Sequence, residues 1–571
     1  MRFLLPLCCA ALLIGASAVS PASGQGAPAR PPLPPSPLPG VLLPRAPSVT
    51  SGAPAARASG DPMPDARIDV GGAVIEGMTI YPPETFATLT AGLVGPGIAL
   101  ERIDEARLAI LSRYRDDGYT LTAVTAVVEA DLHVRLRVTE GRIASVRLDG
   151  DIGPAGVQVL RFLARLTEPR VIDTATLERA LLLAGDVPGV NLRAILRPSA
   201  DEPGALTLVA QVSRQSIGGQ LTGDNRAFVN VGPEQLLGQL DFNSFTEYGE
   251  HTQLQIYRTL NGAQIFGNAS VDTFIGADGL RVRLYGGTGV STPTGSFRAI
   301  DYAGRTALFG SEVSYPLIRS RRQTLSVVAV FDVIESEVEE NRQISSADSL
   351  RVVRAGADYA LADQWLGDAR GAVNVLTFRL SQGVAVLGAT RRGSVLASRA
   401  DQEPAFHKIA FDLSRTQTVF QPWDGASVAL LGVAAGQFSP NVLPSAEKYF
   451  LGGSRLARGF YYGQVTGDRA LAATLEVQLN TVNTFDLFGT ATEVSAQLYG
   501  FYDWAQAWES QAQDHGRRLR SAGLGLRVIP SPKLEIDLEA VHRLTRFPTG
   551  SGPGIAPLPG TAFYWRIVSR F

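Results

Sequence analysis

The chain has 571 residues, more than one ordinary domain holds. Its net charge of -2 leaves no electrostatic footprint for a nucleic-acid partner. A mean hydropathy of +0.08 is far below that of a multi-span helical membrane protein, while 59 glycines and widespread apolar/polar alternation suit a membrane barrel, which hides its apolar residues at every second strand position.

Residues 1–24 read as a secretory signal peptide. Arg2 supplies the positive charge, Phe3 to Ile14 an apolar run, and Ala16-Ser17-Ala18 and Ala22-Ser23-Gly24 the small residues of a cleavage site. A membrane anchor is the alternative, but the run falls short of the roughly 20 residues a spanning helix needs. Both cysteines, Cys8 and Cys9, lie in this segment, so the mature chain carries no disulfide and no thiolate metal site. Residues 25–67, rich in Pro, Ala, Gly and Ser, form a linker unsuited to a long helix.

Residues 68–141 form a small α+β unit. A short strand ends near Ile75-Glu76-Gly77, a helical stretch follows Pro83, and a second helix carries Leu100, Ile103, Ala106, Leu108, Ile110, Leu111 and Tyr114 at helical spacing. Gly118 stops it, and Val134, Leu136 and Val138 then alternate with His133, Arg135 and Arg137. Residues 142–212 repeat the order: strand Ala144 to Leu148, a helix with Val157, Leu160, Leu163 and Leu166, another with Leu177, Leu181, Leu182 and Leu183, then strands Val190–Leu196 and Leu206–Val212. Two successive βααββ units are an internal repeat at the level of pattern.

From about residue 213 to 571 period-two alternation takes over. Leu471, Ala473, Leu475, Val477 and Leu479 oppose Thr474, Glu476, Gln478 and Asn480; Leu534, Ile536, Leu538 and Ala540 oppose Lys533, Glu535, Asp537 and Glu539. Such strands place lipid outside and water inside. At roughly 20 to 25 residues per strand and turn, this length supplies about 16 antiparallel strands of an all-β transmembrane barrel. The chain ends on Phe563-Tyr-Trp-Arg-Ile-Val-Ser-Arg-Phe571, with Phe563, Trp565, Ile567 and Phe571 on one face and Arg566 and Arg570 on the other. A terminal Phe closing such a strand resembles the signal that the barrel-assembly machinery reads on outer-membrane barrels.

Catalytic signals are weak. The five histidines fall at no metal spacing, and Tyr285-Gly-Gly-Thr-Gly289 lies among strands, where it reads as a barrel turn and not a phosphate loop. The chain is expected to be no enzyme and to use no metal or cofactor.

The most informative segment is Glu447-Lys-Tyr-Phe-Leu-Gly-Gly-Ser-Arg-Leu-Ala-Arg-Gly-Phe-Tyr461. Arg458-Gly459-Phe460 after Leu451-Gly452-Gly453 closely resembles the inward-folded loop of two-partner secretion transporters, the ShlB/FhaC/HecB or TpsB family of the outer-membrane assembly superfamily. The resemblance implies that the loop Arg reaches an Asp on the inner wall. Phe501-Tyr502-Asp503-Trp504-Ala505 is similar to that wall motif, with Ala505 where the family has Gly. Alternation puts Asp503 on the face of Ser495, Gln497, Tyr499 and Phe501, the polar side. The bland reading is a water-exposed acid and a surface Arg, worth under about 1 kcal/mol if paired.

The two α+β units resemble the family's POTRA domains, and Asp224-Asn225 resembles the start of its first barrel strand. The resemblance covers roughly residues 68–571. It implies a pore that captures an unfolded partner polypeptide, a large β-helical adhesin or haemolysin, and passes it to the surface without ATP, in contact with outer-membrane lipid. Many relatives begin with a pore-plugging helix, which the prolines of 25–67 disfavour. An assembly factor inserting other barrels, expected to carry more POTRA repeats, and a passive porin, needing no such loop, are the alternatives.

Overall fold

The computed structural model describes residues 50–51, 66–168, 170–199, 202–487, 490–511, 516–548 and 556–571. The expected signal peptide, nearly all of the linker and any plug helix in it lie outside these residues. The chain forms two compact units, one within Arg45–Arg214 that also takes in Thr246–Gly249, the other containing Gln215–Phe245 and Glu250–Phe571.

In the first unit, residues 67–139 make a three-stranded sheet. Gly72–Glu76 runs parallel to His133–Thr139, which pairs antiparallel with Ala123–Val128. Helix α1, Leu100–Asp116, buries Ile103, Ala106, Ile110 and Tyr114 against Val134, Leu136 and Val138, the two periodicities meeting in one core. The left-handed Gly118 (φ +92°) turns the chain out of the helix.

The same topology recurs over 142–214. Arg142–Asp149 lies parallel to Ala205–Arg214, which pairs antiparallel with Val190–Pro198, and the two-residue strand Thr50–Ser51 adds in parallel to the latter. Helix α2, Ala155–Ala164, buries Val159, Phe162 and Leu163, whereas Val157 and Leu160 of the expected stripe are exposed. The apolar run is dense enough that two stripes fit it, and the sheet takes the one containing Phe162. Helix α3, Thr174–Gly185, is capped by Asp173, whose carboxylate accepts from the Thr176 N–H at 2.8 Å.

Glu140 ties the first sheet to its helices. It accepts from the N–H groups of Thr79 (2.9 Å) and Ile80 (3.1 Å), from the Thr79 hydroxyl and from Tyr114 Oη at 2.6 Å. Burial pushes its pKa up, but the hydrogen bonds from Thr79, Tyr114 and Ile80 outweigh this and hold it below the usual carboxylate value. A depressed carboxylate contributes stability above its unfolded pKa of about 4.3, lost as pH falls through the folded value. Glu140→Gln is expected to lower the urea stability of the isolated 66–214 unit by about 1–2 kcal/mol at pH 7, with the gap closing towards pH 3. A gap that stays constant with pH would refute the carboxylate's role.

The second unit is a closed barrel of sixteen strands, each hydrogen-bonded antiparallel to its neighbours in sequence. The strands are β1 Ile217–Asp224, β2 Gln235–Asn243, β3 His251–Thr259, β4 Gln264–Ile275, β5 Leu280–Ser291, β6 Ala303–Arg319, β7 Gln323–Glu340, β8 Gln343–Asp363, β9 Ala372–Gly383, β10 His407–Phe420, β11 Ala426–Phe438, β12 Arg469–Leu487, β13 Thr490–Trp508, β14 Arg517–Ser531, β15 Leu534–Arg543 and β16 Thr561–Arg570. Among the described residues there is no α-helix from Ile217 onward, and no helix among them is long and apolar enough to cross a membrane.

The alternation sorts side chains as a membrane barrel requires. In β12, Leu475 and Val477 are 57% and 50% exposed on the outside, while Thr474, Glu476, Gln478 and Asn480 are buried inside. Inside, charges pair across neighbouring strands: Arg354–Asp332 (2.8 Å), Arg379–Asp358 (2.8 Å), Arg527–Asp537 (3.0 Å), Arg570–Glu535 (2.8 Å) and Arg281–Asp272.

Tyr285-Gly-Gly-Thr-Gly289 is not a turn but the middle of β5. Its glycines make room for rings on the neighbouring strand: a Cβ on Gly287 or Gly289 would stand 2.8 or 2.5 Å from Phe266. The glycine cluster marks close cross-strand packing, which sequence spacing alone does not separate from a turn.

The barrel closes where β1 meets β16. Five register pairs join them, Gln220–Arg570 to Asp224–Arg566, against 19 between β12 and β13. Two flanking contacts extend the join. Gly219 and Phe571 exchange both backbone hydrogen bonds, at 3.1 and 3.0 Å. Past the end of β1, the Asn225 carboxamide donates to the Phe563 carbonyl at 3.0 Å and accepts from the Trp565 N–H at 2.9 Å, standing in for a peptide group.

Candidate functional site

Between β11 and β12 the chain makes a long connection, residues 439–468, that turns back into the barrel. A 3-10 turn, Ser445–Glu447, leads to a two-stranded ribbon of Tyr449–Leu451 against Val465–Gly467. Gly452 (φ +112°) begins the tip, where a Cβ would stand 2.0 Å from the Tyr461 carbonyl oxygen, so only glycine fits the crossing.

Arg458, at the tip, is buried, and so is Asp503, on the inner face of β13. One Asp503 oxygen accepts from the Arg458 N–H at 2.7 Å and from Nε at 3.1 Å; the other accepts from Nη2 at 3.0 Å and from Thr474 Oγ1 at 3.0 Å. The two parallel guanidinium bonds form the fork that suits Arg to carboxylate. Nη1 donates to Glu476 on β12, and the guanidinium carbon stands 3.5 Å from the centroid of the Phe501 ring. Phe501 is thus the platform beneath the cation rather than part of the ion pair.

Gly459 passes so close to the wall that a Cβ would stand 2.7 Å from Ser521 Cβ and 3.2 Å from Val541. Its N–H donates to Ser521 Oγ at 3.2 Å, and its carbonyl accepts from Tyr564 Oη at 3.0 Å and from Arg543. Phe460 is fully buried in an apolar cluster with Leu451, Ala457, Ala472, Ala505 and Leu519. Ala505, where the family has glycine, contributes its methyl group to that cluster. Phe571 lies far along the chain at the closing join, exposed on the outer face.

The structure therefore brings Arg458, Gly459, Phe460, Phe501 and Asp503 together and sets Phe571 apart. Sequence reasoning missed Glu476 and Arg226. Arg226 is buried, donates to the carbonyls of Gly453 (3.0 Å) and Arg458 (2.8 Å), pairs with Glu539, and stacks 4.0 Å from the Tyr564 ring centroid. Glu476 was visible as an inward acid of β12; Arg226 follows Asp224-Asn225, which closes β1 rather than starting it. That dipeptide marks where the first strand ends and the chain turns to grip the loop.

The electrostatic logic is a buried cation held by two carboxylates and roofed by a ring. Removing either side of such a pair is strongly destabilising because it leaves a charge buried without compensation. The arrangement fixes a loop within a barrel. Among the described residues no group of three or more His, Cys, Asp or Glu is placed to hold a metal ion.

Comparisons with known proteins agree in kind. Residues 68–141 match the ShlB-type POTRA domain. The fold is similar to CdiB from Escherichia coli (19% identity, 90% of this chain and 92% of that one, TM-score 0.68) and to CdiB from Acinetobacter baumannii (15%, 88% and 90%, 0.59). It is also similar to BamA from Haemophilus ducreyi lacking POTRA domains 1–3 (12%, 89% and 100%, 0.51). No curated protein matches the chain in sequence. Residues 207–528, more than half of the 571, match the haemolysin secretion/activation protein family ShlB/FhaC/HecB, and with a sixteen-strand barrel, a POTRA domain and the Arg458 loop the chain belongs to that family of outer-membrane transport barrels.

Proposed function

We propose that this protein is the outer-membrane pore of a two-partner secretion system. It takes an unfolded exoprotein of the β-helical adhesin or haemolysin type from the periplasm and passes it to the cell surface. The observation that carries this reading is the Arg458 loop, folded into the barrel and fastened to Asp503 and Glu476. A passive porin has no use for a loop held by two buried carboxylates.

In this reading residues 142–212 are a second POTRA domain beside 68–141, both periplasmic. An extended segment of the exoprotein adds a strand to a POTRA sheet edge, where main-chain hydrogen bonds give capture tolerant of sequence. The chain then threads the polar lumen, and folding outside prevents its return. Phe571 is the terminus that the barrel-assembly machinery recognises.

The test is co-expression with a candidate exoprotein, a long exported repeat protein if one is encoded beside the transporter, in a strain without other transporters of this family. Surface or medium exoprotein is expected to fall at least tenfold when the transporter is removed. Unchanged exoprotein export, with other barrels depleted instead, would replace secretion by barrel assembly.

A further inference from the structure

The loop is fastened at a second place. Glu447, at the foot of the ribbon, is 2% exposed. Its carboxylate takes a bidentate pair from Arg354 on β8, at 2.7 and 3.1 Å, and an ammonium from Lys408 on β10 at 2.5 Å. Its carbonyl accepts from Lys408 Nζ and from Gln437 on β11, both at 3.1 Å. Arg354 is braced from behind by Asp332 on β7, 2.8 Å away, which takes the Tyr285 hydroxyl from β5.

The next residue reaches another part of the wall. Lys448 Nζ meets Glu509, past the end of β13, at 2.7 Å, and Glu509 also takes Arg399 at 2.8 Å. Arg399, from the connection between β9 and β10, holds Asp468, where the loop leaves, at 2.5 and 3.1 Å. The foot is therefore clamped from both sides. The groups on Glu447 (Arg354, Lys408, Gln437) and those on Arg458 (Asp503, Glu476, Arg226) have no member in common.

We propose that Glu447 is a second latch, energetically independent of the Arg458 lock, so that the loop leaves the lumen in two steps. Loss of the Arg458–Asp503 contact frees the tip but leaves the foot bound across β8, β10 and β11. The pore opens fully only when Glu447 also leaves Arg354 and Lys408. Separate anchors with no shared partner contribute additively in free energy, so their effects on the open population multiply.

The inference rests on the reading of the chain as a secretion pore whose lumen holds its own folded-in loop. The test is conductance of the purified full-length protein in planar bilayers, with no exoprotein present, for the parent, Glu447→Gln, Arg458→Ala and the double variant. Each single variant is expected to raise the open fraction at least tenfold, and the double variant by about the product of the two single effects, as independent anchors require. If Glu447→Gln does not yield a heat-modifiable barrel, Lys408→Gln, which leaves Arg354 in place, is expected to shift the open fraction in the same direction by less. A double variant no more open than the more open single, or Glu447→Gln and Lys408→Gln both matching the parent, overturns the latch. A variant lacking residues 445–467 that inserts but never conducts fails the pore reading instead.

Discussion

Arg458→Ala is expected to leave the barrel inserted and heat-modifiable while exoprotein secretion falls more than tenfold. Asp503 is wholly buried, and three of its four hydrogen bonds come from Arg458, two of them from the side chain. Removing the guanidinium leaves both Asp503 and Glu476 without their counter-ion inside the lumen. Stripping one partner from a buried pair costs about 3–5 kcal/mol, enough to move the docked loop population by a hundredfold or more at about 1.4 kcal/mol per factor of ten.

Asp503→Ala is expected to be milder, because Glu476 still holds Nη1. The double variant should be little worse than Arg458→Ala, since the shared contact is lost only once. The charge swap, Arg458→Asp with Asp503→Arg, is expected to fail: the new acid at 458 would face Glu476. Secretion across this set, at matched transporter levels, decides the matter. Strictly additive losses from the two single changes would show that docking of this pair does not serve transport.

Deleting Phe571 is expected to reduce folded barrel in the outer membrane at least tenfold, whereas Phe571→Ala should reduce it less. The terminal residue does two things. Its backbone exchanges two hydrogen bonds with Gly219, lengthening a closing join of only five register pairs. Its ring lies over Gly219, where a Cβ would come within 2.5 Å of the ring. Deletion removes both; the alanine variant keeps the backbone bonds. The readout is heat-modifiable migration of membrane fractions. Equal losses in the two variants would assign the whole effect to the ring as a recognised signal, and normal levels in both would remove Phe571 from assembly altogether.

Much of the barrel was legible because its period is two and its rule is simple. Leu471 to Asn480 and Leu534 to Glu539 announce their faces residue by residue, and sixteen strands follow from length. Asp503 could be turned inward on the same ground. What alternation does not carry is register. Glu476 reaches Arg458 because Thr474 stands opposite Asp503 across β12 and β13, a pairing fixed by the whole strand pair and not by local sequence. Arg226, just past the end of β1, and Tyr564, on β16, approach the loop from the barrel's closing join, residues that lie 338 positions apart in sequence. Glu447 opened the quoted loop segment, yet its partners, Arg354 and Lys408, look like any other inward cations until the strands are placed. The glycines of β5 misled for a related reason: their function is to accept a ring from the neighbouring strand, and the sequence shows only the vacancy.

The pairing of lumen charges has a consequence for ion flow. The Arg residues named above as paired across neighbouring strands each sit beside a carboxylate, from Arg281–Asp272 to Arg570–Glu535, so positive and negative fixed charges largely cancel there at short range. Beyond a Debye length of about 8 Å at physiological salt, little field remains to favour one sign of ion. In the proposed transport role, a wall paired in this way would offer similar resistance to an acidic and a basic stretch of a threading chain.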